Sequence, residues 1–245
     1  MASSPFGTLD IETDDRRRVY RYVERRGAVP PSEVADAVEL DPETFRHHVA
    51  VLKRDGLLRE VDGKLRVELD RGEVEEQETG GLQYEIRPAR QEDTSGVLGV
   101  IRTIADTKRH LVAESVAEQL AYEQALTRHN AAETRLFFVG VVADEVVGFC
   151  HVEVPRMAKL SHAAQVTVGV LEEYRRYSIG SHLLQRGMSW ARSQGCRRVY
   201  NSIPESNDLA LSFLQDNGWR VEAIRSGHFL VDGDPVDELQ LAADL

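Results

Sequence analysis

The chain of 245 residues is poor in lysine: Lys53, Lys64, Lys108 and Lys159 are the only four among 30 basic residues, so 26 are arginine. It is equally poor in cysteine. Cys150 and Cys196 lie far apart and belong to no CxxC or Cys/His set. A disulfide framework and a structural zinc site are thereby excluded, no metal is expected, and both cysteines read as small apolar packing groups. No run of about 18 apolar residues is present, so no segment reads as a membrane-spanning helix. The first ten residues lack a charged start followed by an apolar stretch, so no secretory leader is expected and a cytoplasmic setting is. What the chain has in excess is acid, 41 Asp and Glu for a net charge of −11. Acid-rich and lysine-poor is the surface expected in very salty cytoplasm, such as that of a halophilic archaeon; arginine codons of a GC-rich genome are the plainer alternative. With 42 % apolar residues, a buried core is supported.

Pattern divides the chain. Residues 1–13 are expected to be a disordered N-terminus, and 14–70 a compact helix-rich domain. Residues 71–81 (RGEVEEQETGG) read as an acidic linker, followed by a domain over 82–245 in which strands and helices alternate.

In the first domain, Asp14 starts a helix that ends at Gly27, and Pro30-Pro31-Ser32 opens a second through Val38. Asp41-Pro42, an N-cap with proline at the first helical position, opens a third that runs to about Arg54. Leu57–Val61 and Lys64–Leu69 read as a hairpin over Asp62-Gly63. This order resembles the winged helix-turn-helix domains of prokaryotic regulators. The resemblance implies that residues 41–66 meet DNA, through Thr44, Arg46 and His47 (with Glu43 and Ala50) on the third helix and Arg66 on the wing. Residues 1–70 together hold 12 basic and 15 acidic residues, however, a poor match to a phosphate surface, and a protein-contact role stays open.

In the second domain, Leu82–Pro88 reads as a strand and Glu92–Ala105 and Ser115–His129 as helices. Leu136–Ala143 and Val146–Val154 read as a hairpin, and Val166–Val170 as a further strand. A helix over 178–194, a strand over 198–203, a helix over 207–217 and two or three closing strands complete it. Phe137, Phe138 and Trp190 read as core. The informative stretch is VTVGVLEEYRRYSIGSHLL, a buried strand whose tight turn opens a helix. Small residues there aim backbone N–H groups and a helix N-terminus at one place, which suits phosphate oxygens. It is neither a Walker loop nor a dinucleotide fingerprint.

With that turn (Arg175-Arg176-Tyr177-Ser178-Ile179-Gly180), with Asn207 and Ala210 opening the last helix, and with Gly218-Trp219 after it, the chain resembles the GNAT superfamily of acyl-CoA-dependent N-acetyltransferases. The likeness covers about 160 residues. It implies an α/β (α+β) fold, a mixed central sheet flanked by helices, behind the small winged helix. It also implies acetyl-CoA as co-substrate. Val168, Val170, Arg175, Arg176, Ser178, Ile179, Gly180, Ser181 and Asn207 would hold the coenzyme, with a backbone N–H near Val168 or Val170 facing the oxyanion. Three positions depart from the family. Ser178 stands where the family's turn has its first glycine. Leu214 stands where many members place a tyrosine acid, and Gln165 where relatives often carry a glutamate. For proton transfer the candidates are His151 and Glu153, on one face of their strand, and His162 before the next.

The implied activity is acetyl transfer to a primary amine, on a protein lysine, a protein N-terminus or a small molecule. The winged helix would target or regulate it, and a homodimer is left open. The alternative is a transcriptional regulator that senses acetyl-CoA with a weak or inactive GNAT domain. Loops 106–112 and 155–162, with Lys108, Arg109, Arg156 and Lys159, are a basic exception on an acidic surface and suit either an acidic acceptor or the phosphates of coenzyme A.

Overall fold

The computed structural model describes residues 13–69, 72–105, 111–123, 125–129, 133–231 and 233–245, with the backbone alone for 111–114 and 123. The stretch expected to be disordered lies, but for Thr13, outside the described residues.

Helix α1 (Asp14–Arg26) is capped by Thr13, one residue before the expected start, whose side chain accepts from Arg16 N. Acids in its first turn and arginines in its last suit the helix dipole, and Gly27 closes it at φ 81°. After β1 (Ala28–Val29) and α2 (Pro31–Val38) comes α3 (Pro42–Arg54), whose cap Asp41 accepts from the Glu43 and Thr44 amides at 3.1 and 3.0 Å. The wing is β2 (Leu58–Val61) and β3 (Lys64–Val67), turning through Asp62 and Gly63, both at positive φ. A small sheet in the order β1-β3-β2 closes on a core of Val19, Tyr20, Val23, Val34, Phe45, Leu52 and Leu65.

The remaining elements are β4 (Glu75–Thr79), β5 (Leu82–Pro88), α4 (Thr94–Ala105), α5 (Leu111–Glu123), β6 (Arg128–His129), β7 (Glu133–Val142) and β8 (Glu145–Pro155). They continue with β9 (Ala163–Val170), α6 (Ile179–Ser193), β10 (Arg198–Pro204), α7 (Asp208–Asp216), β11 (Arg220–Val231) and β12 (Asp234–Asp244). The sheet order is β11-β12-β10-β9-β8-β7-β5-β4, with β6 on β7. Its pairings are antiparallel except β9 with β10, so the sheet is mixed.

Two expectations are corrected. Most of the supposed linker is strand β4, which turns through Gly80 and Gly81 at φ 61° and 81° and pairs with β5. Arg186 on α6 pins it, donating to Glu75 Oε1 at 2.7 Å and to Glu73 O at 3.1 Å. An acidic strand is stable at this edge because an arginine from the layer above neutralises it. The helix expected over 115–129 sits earlier, at 111–123, and Arg128 and His129 instead pair with β7.

Strand alternation sorts the core into two layers. Cys150, Val152 and Val166 face α6 and α7 with Leu183, Leu184 and Leu214. Phe137, Val139 and Phe149 face α4 and α5 with Val97, Ile101 and Leu120. Both cysteines are free and buried in the first layer, as are Phe138 and Trp190, while Phe137 lies in the second.

The two parts of the chain are fastened together. Tyr20 Oη on α1 donates to the His129 carbonyl, and Glu24 Oε1, one helical turn on, accepts from the His129 amide at 3.0 Å. Both backbone groups of a β6 residue are thus held by side chains of α1.

Helix α6 approaches β8 at Gly187, where an added Cβ would stand 2.6 Å from Cys150 Sγ and 3.0 Å from Val152 Cγ2. Gly187→Ala is expected to destabilise the protein by about 1–3 kcal/mol through overpacking. A denaturant titration checks this; an unchanged midpoint would contradict the packing.

Candidate active site

The site begins where two neighbouring strands part. β9 and β10 pair over only three residues, Ala163–Gln165 against Arg198–Tyr200, although β9 runs on to Val170 and β10 to Pro204. On its other side β9 stays paired with β8 up to Gly148↔Val170, and the Leu171 amide donates to Val147 O at 2.9 Å. In an antiparallel ladder amides alternate sides. Those of Gln165, Thr167 and Gly169 therefore point to β8, and those of Val168 and Val170 point into the gap. The gap thus has a wall of outward main-chain groups that no strand satisfies.

The turn after β9 completes it. Arg175 Nε donates to Val170 O at 3.2 Å, which places the guanidinium at the mouth of the gap. Arg176 and Ser178 adopt left-handed φ of 67° and 64°, and Ser178 is the N-cap of α6 without a side-chain capping bond. Alternating left-handed residues ahead of a helix gather N–H groups into a concavity, here those of Ile179, Gly180 and Ser181. No acid lies in the first turn of α6 to compete for them. A Cβ on Gly180 would touch Phe213 at 3.4 Å and Val170 at 3.6 Å, so a larger side chain would fill the cradle. Outward amides along the gap and a basic, amide-rich turn fit an extended ligand ending in phosphates. Asn207, which as the residue opening the last helix reads either as a coenzyme contact or as its N-cap, takes the cap position. It is 1 % exposed and its Oδ1 accepts from Ala210 N at 3.1 Å, so it serves as the N-cap of α7.

The proton-transfer candidates do not converge. His162 is exposed and precedes β9 at its paired end, six residues or about 20 Å along the strand from Val168. Glu153 stands opposite Gln165, also level with the closed end. His151 is opposite Thr167, at the right level, but it is 3 % exposed against Phe137, with ring centroids 4.7 Å apart. Burial first, and the Arg135 charge second, push its pKa down to about 3, so it is neutral at physiological pH. Leu214 is buried and Gln165 exposed.

The structure gathers instead a polar row that the sequence reading passed over. On the face covered by α4 and α5, Thr167 lies on the β9 lip. Continuing the three-residue register places Ser202 opposite it on the β10 lip. Ser202 Oγ donates to Glu238 Oε1 on β12, and Arg225 Nε on β11 donates to Glu238 Oε2. Glu238 is 4 % exposed. Burial works to raise its pKa, but the hydrogen bonds from Arg225 and Ser202 and the charges of Arg225 and His228 outweigh it and hold the carboxyl below its usual range. A sequence signal existed: in DELQL, Glu238 and Gln240 alternate with Leu239 and Leu241, which are core on the opposite face.

On the winged helix, Glu43, Arg46, His47 and Ala50 are exposed and Thr44 half-buried, so one face of α3 is open. Arg66 departs from it. It lines a cleft of about 890 Å³ between wing and catalytic sheet, beside Arg59, Glu68, Arg87 and Arg90, and its buried Nε has no hydrogen-bond partner. Of the basic loops, Lys108 and Arg109 lie outside the described residues, and Arg156 Nη1 rests 3.0 Å from His129 Nε2.

Residues 103–219 match the model of the acetyltransferase (GNAT) family, and residues 12–61 match a helix-turn-helix domain. The chain carries a GNAT acetyltransferase domain. It is 29 % identical over 177 residues to an N-alpha-acetyltransferase of Sulfurisphaera tokodaii, covering 67 % of this chain and 95 % of that one. A GCN5-related N-acetyltransferase from Kribbella flavida shares its fold with a TM-score of 0.54 at 22 % identity, over 66 % of this chain and 98 % of the other. So does a Salmonella typhimurium protein described as an acetyltransferase and solved with its cofactor acetyl-CoA, with a TM-score of 0.52, 17 % identity, and 65 % and 92 % coverage. GNAT proteins are acyltransferases that use acetyl-CoA. No helix among the described residues is long and apolar enough to cross a membrane.

Buried histidines give the fold a pH dependence. His129 is held neutral, its pKa lowered to about 4 by burial and then by Arg156, and His151 is lowered to about 3. Unfolded, both bind protons below about pH 6.5. Stability is therefore full above that value and lost as pH falls toward 4, with Glu24, raised by burial, opposing in part. Denaturant midpoints are expected to drop between pH 7 and 4.5, and less steeply in His151→Phe; parallel curves would contradict this.

Proposed function

We propose that this protein transfers the acetyl group of acetyl-CoA to a primary amine, with the α-amine of a polypeptide as the favoured acceptor. The observation that carries the reading is the gap between β9 and β10, walled by the outward amides of Val168 and Val170 and closed by the α6 N-terminus. The name of the Sulfurisphaera relative supports the choice of acceptor.

The chemistry asks little of the chain. Acetyl-CoA supplies an activated acyl carbon. The turn over Arg175–Ser181 binds its phosphates, and the Val168 or Val170 N–H donates to the carbonyl oxygen as charge develops there. Leu214 gives no proton to the leaving thiolate, so the attacking nitrogen itself supplies it. The buried leucine also motivates the second reading, an acetyl-CoA sensor without turnover. In either case the open face of α3, through Thr44, Arg46 and His47, is the surface for DNA.

Thiol release from acetyl-CoA is the test, in molar KCl, against peptides with free N-termini, peptides with lysine and small amines. Wild type is expected to turn over, and Gly180→Asp to fall to background with loss of acetyl-CoA binding. Binding without turnover on the whole panel would leave the sensor. Arg46→Ala is expected to weaken recovery of duplexes selected from a random pool at matched salt; a pool that wild type never enriches would assign α3 to protein contact.

A further inference from the structure

Resting on the acetyl-transfer reading, one feature of the gap has consequences for its chemistry. The proton acceptor expected on β8 is buried or misplaced, yet the acceptor amine still has to lose a proton. At the level of Val168, on the face opposite α6, the only lip residue paired to a buried carboxylate among the described residues is Ser202. Its hydroxyl proton is committed to Glu238 Oε1, which leaves Oγ lone pairs as acceptors. Glu238 is fixed on its second oxygen by Arg225, with the His228 ring 3.8 Å away. Across the gap, Thr167 is 7 % exposed, and its Oγ1 has no hydrogen-bond partner. An unsatisfied hydroxyl on one lip, facing a serine–carboxylate pair on the other, marks a place where a polar group from outside is received.

We propose that Ser202 is a catalytic residue that takes a proton from the acceptor amine, and that Glu238, held by Arg225, is the positioning residue that receives the serine's own proton. The step balances without any further reactant. An acceptor ammonium passes one proton to Ser202 Oγ as Ser202 passes its own to Glu238. The nitrogen lone pair then forms the C–N bond and the C–S bond breaks. The thiolate takes a second proton from nitrogen, and Glu238 returns its proton to water. Thr167 Oγ1 faces the same nitrogen from the opposite lip. The arrangement selects amines that arrive charged, because only these need the carboxylate.

The experiment compares two acceptors on wild type, Ser202→Ala, Glu238→Gln and Glu238→Asp. One is a peptide with a free α-amine, and the other is the same peptide carrying an N-terminal aminooxy group, unprotonated at neutral pH. For the α-amine, Ser202→Ala and Glu238→Gln are expected to lower kcat by about 100-fold or more. Their kcat/KM is expected to climb with pH toward the amine's own range, about 8, where the wild type is flatter. Glu238→Asp recovers part of the rate. For the aminooxy peptide the variants stay within about threefold of wild type, since general base catalysis is not needed there. Calorimetric affinity for acetyl-CoA is expected to be unchanged, which separates a lost proton acceptor from a damaged fold. Equal losses with both acceptors, unchanged rates, or weakened acetyl-CoA binding would overturn the proposal. A wild type that acetylates neither peptide nor any amine of the wider panel would instead overturn the acetyl-transfer reading beneath it, and turnover of lysine or small amines alone would overturn the choice of the α-amine.

Discussion

The proposed site depends on two parallel strands that stop pairing after three residues. β9 and β10 share three residue pairs and then diverge, leaving the Val168 and Val170 amides of β9 without a partner strand. Buried backbone groups are rarely left so, because each costs about as much as a lost hydrogen bond. Here the rest of the sheet carries that cost. β9 is paired along its length on the β8 side, and β10 along its length with β12, so neither strand can slide to close the gap. The helix that follows β9 adds its own unsatisfied amides at the same mouth. On the proposed reading, coenzyme binding is prepared by backbone groups of β9 and α6, with Arg175 adding charge at the mouth of the gap.

On that reading the unusual residues of the site are compatible with coenzyme binding. Ser178 replaces the glycine of the family's turn and still adopts a left-handed φ, a conformation that costs a non-glycine residue about 1–2 kcal/mol. The amide it presents is the same. Likewise the loss of a tyrosine at position 214 removes one proton donor from a reaction whose own nucleophile carries two protons too many.

Much of the fold was legible beforehand, for local reasons. Asp41-Pro42, Asp62-Gly63 and the apolar spacing of α1, α4 and α6 are signals within one turn of chain. Strand β4 was not legible. Its sequence EEQET is acidic and without an apolar face; pairing with β5 and the contact of Glu75 with Arg186, 111 residues away, hold it as a strand. The site was half legible for the same reason. The turn Arg175–Gly180 is a contiguous motif, whereas the parting of β9 from β10 is a fact about pairing that no single segment encodes. Glu238 is one acid among 41, and its burial against Ser202 and Arg225 needs three strands to be in place. Histidine at position 151 was attractive for its chemistry, but chemistry without access misled, since the α4 and α5 layer covers it.

The grip of Tyr20 and Glu24 on the backbone of His129 has a geometric consequence. The open face of α3 and the gap between β9 and β10 belong to one frame, not to two beads on a string. A duplex held by the first would fix the reach and bearing of the second. Acceptors would then be chosen by where they stand along the nucleic acid, at high effective concentration, more than by the few residues around their amine.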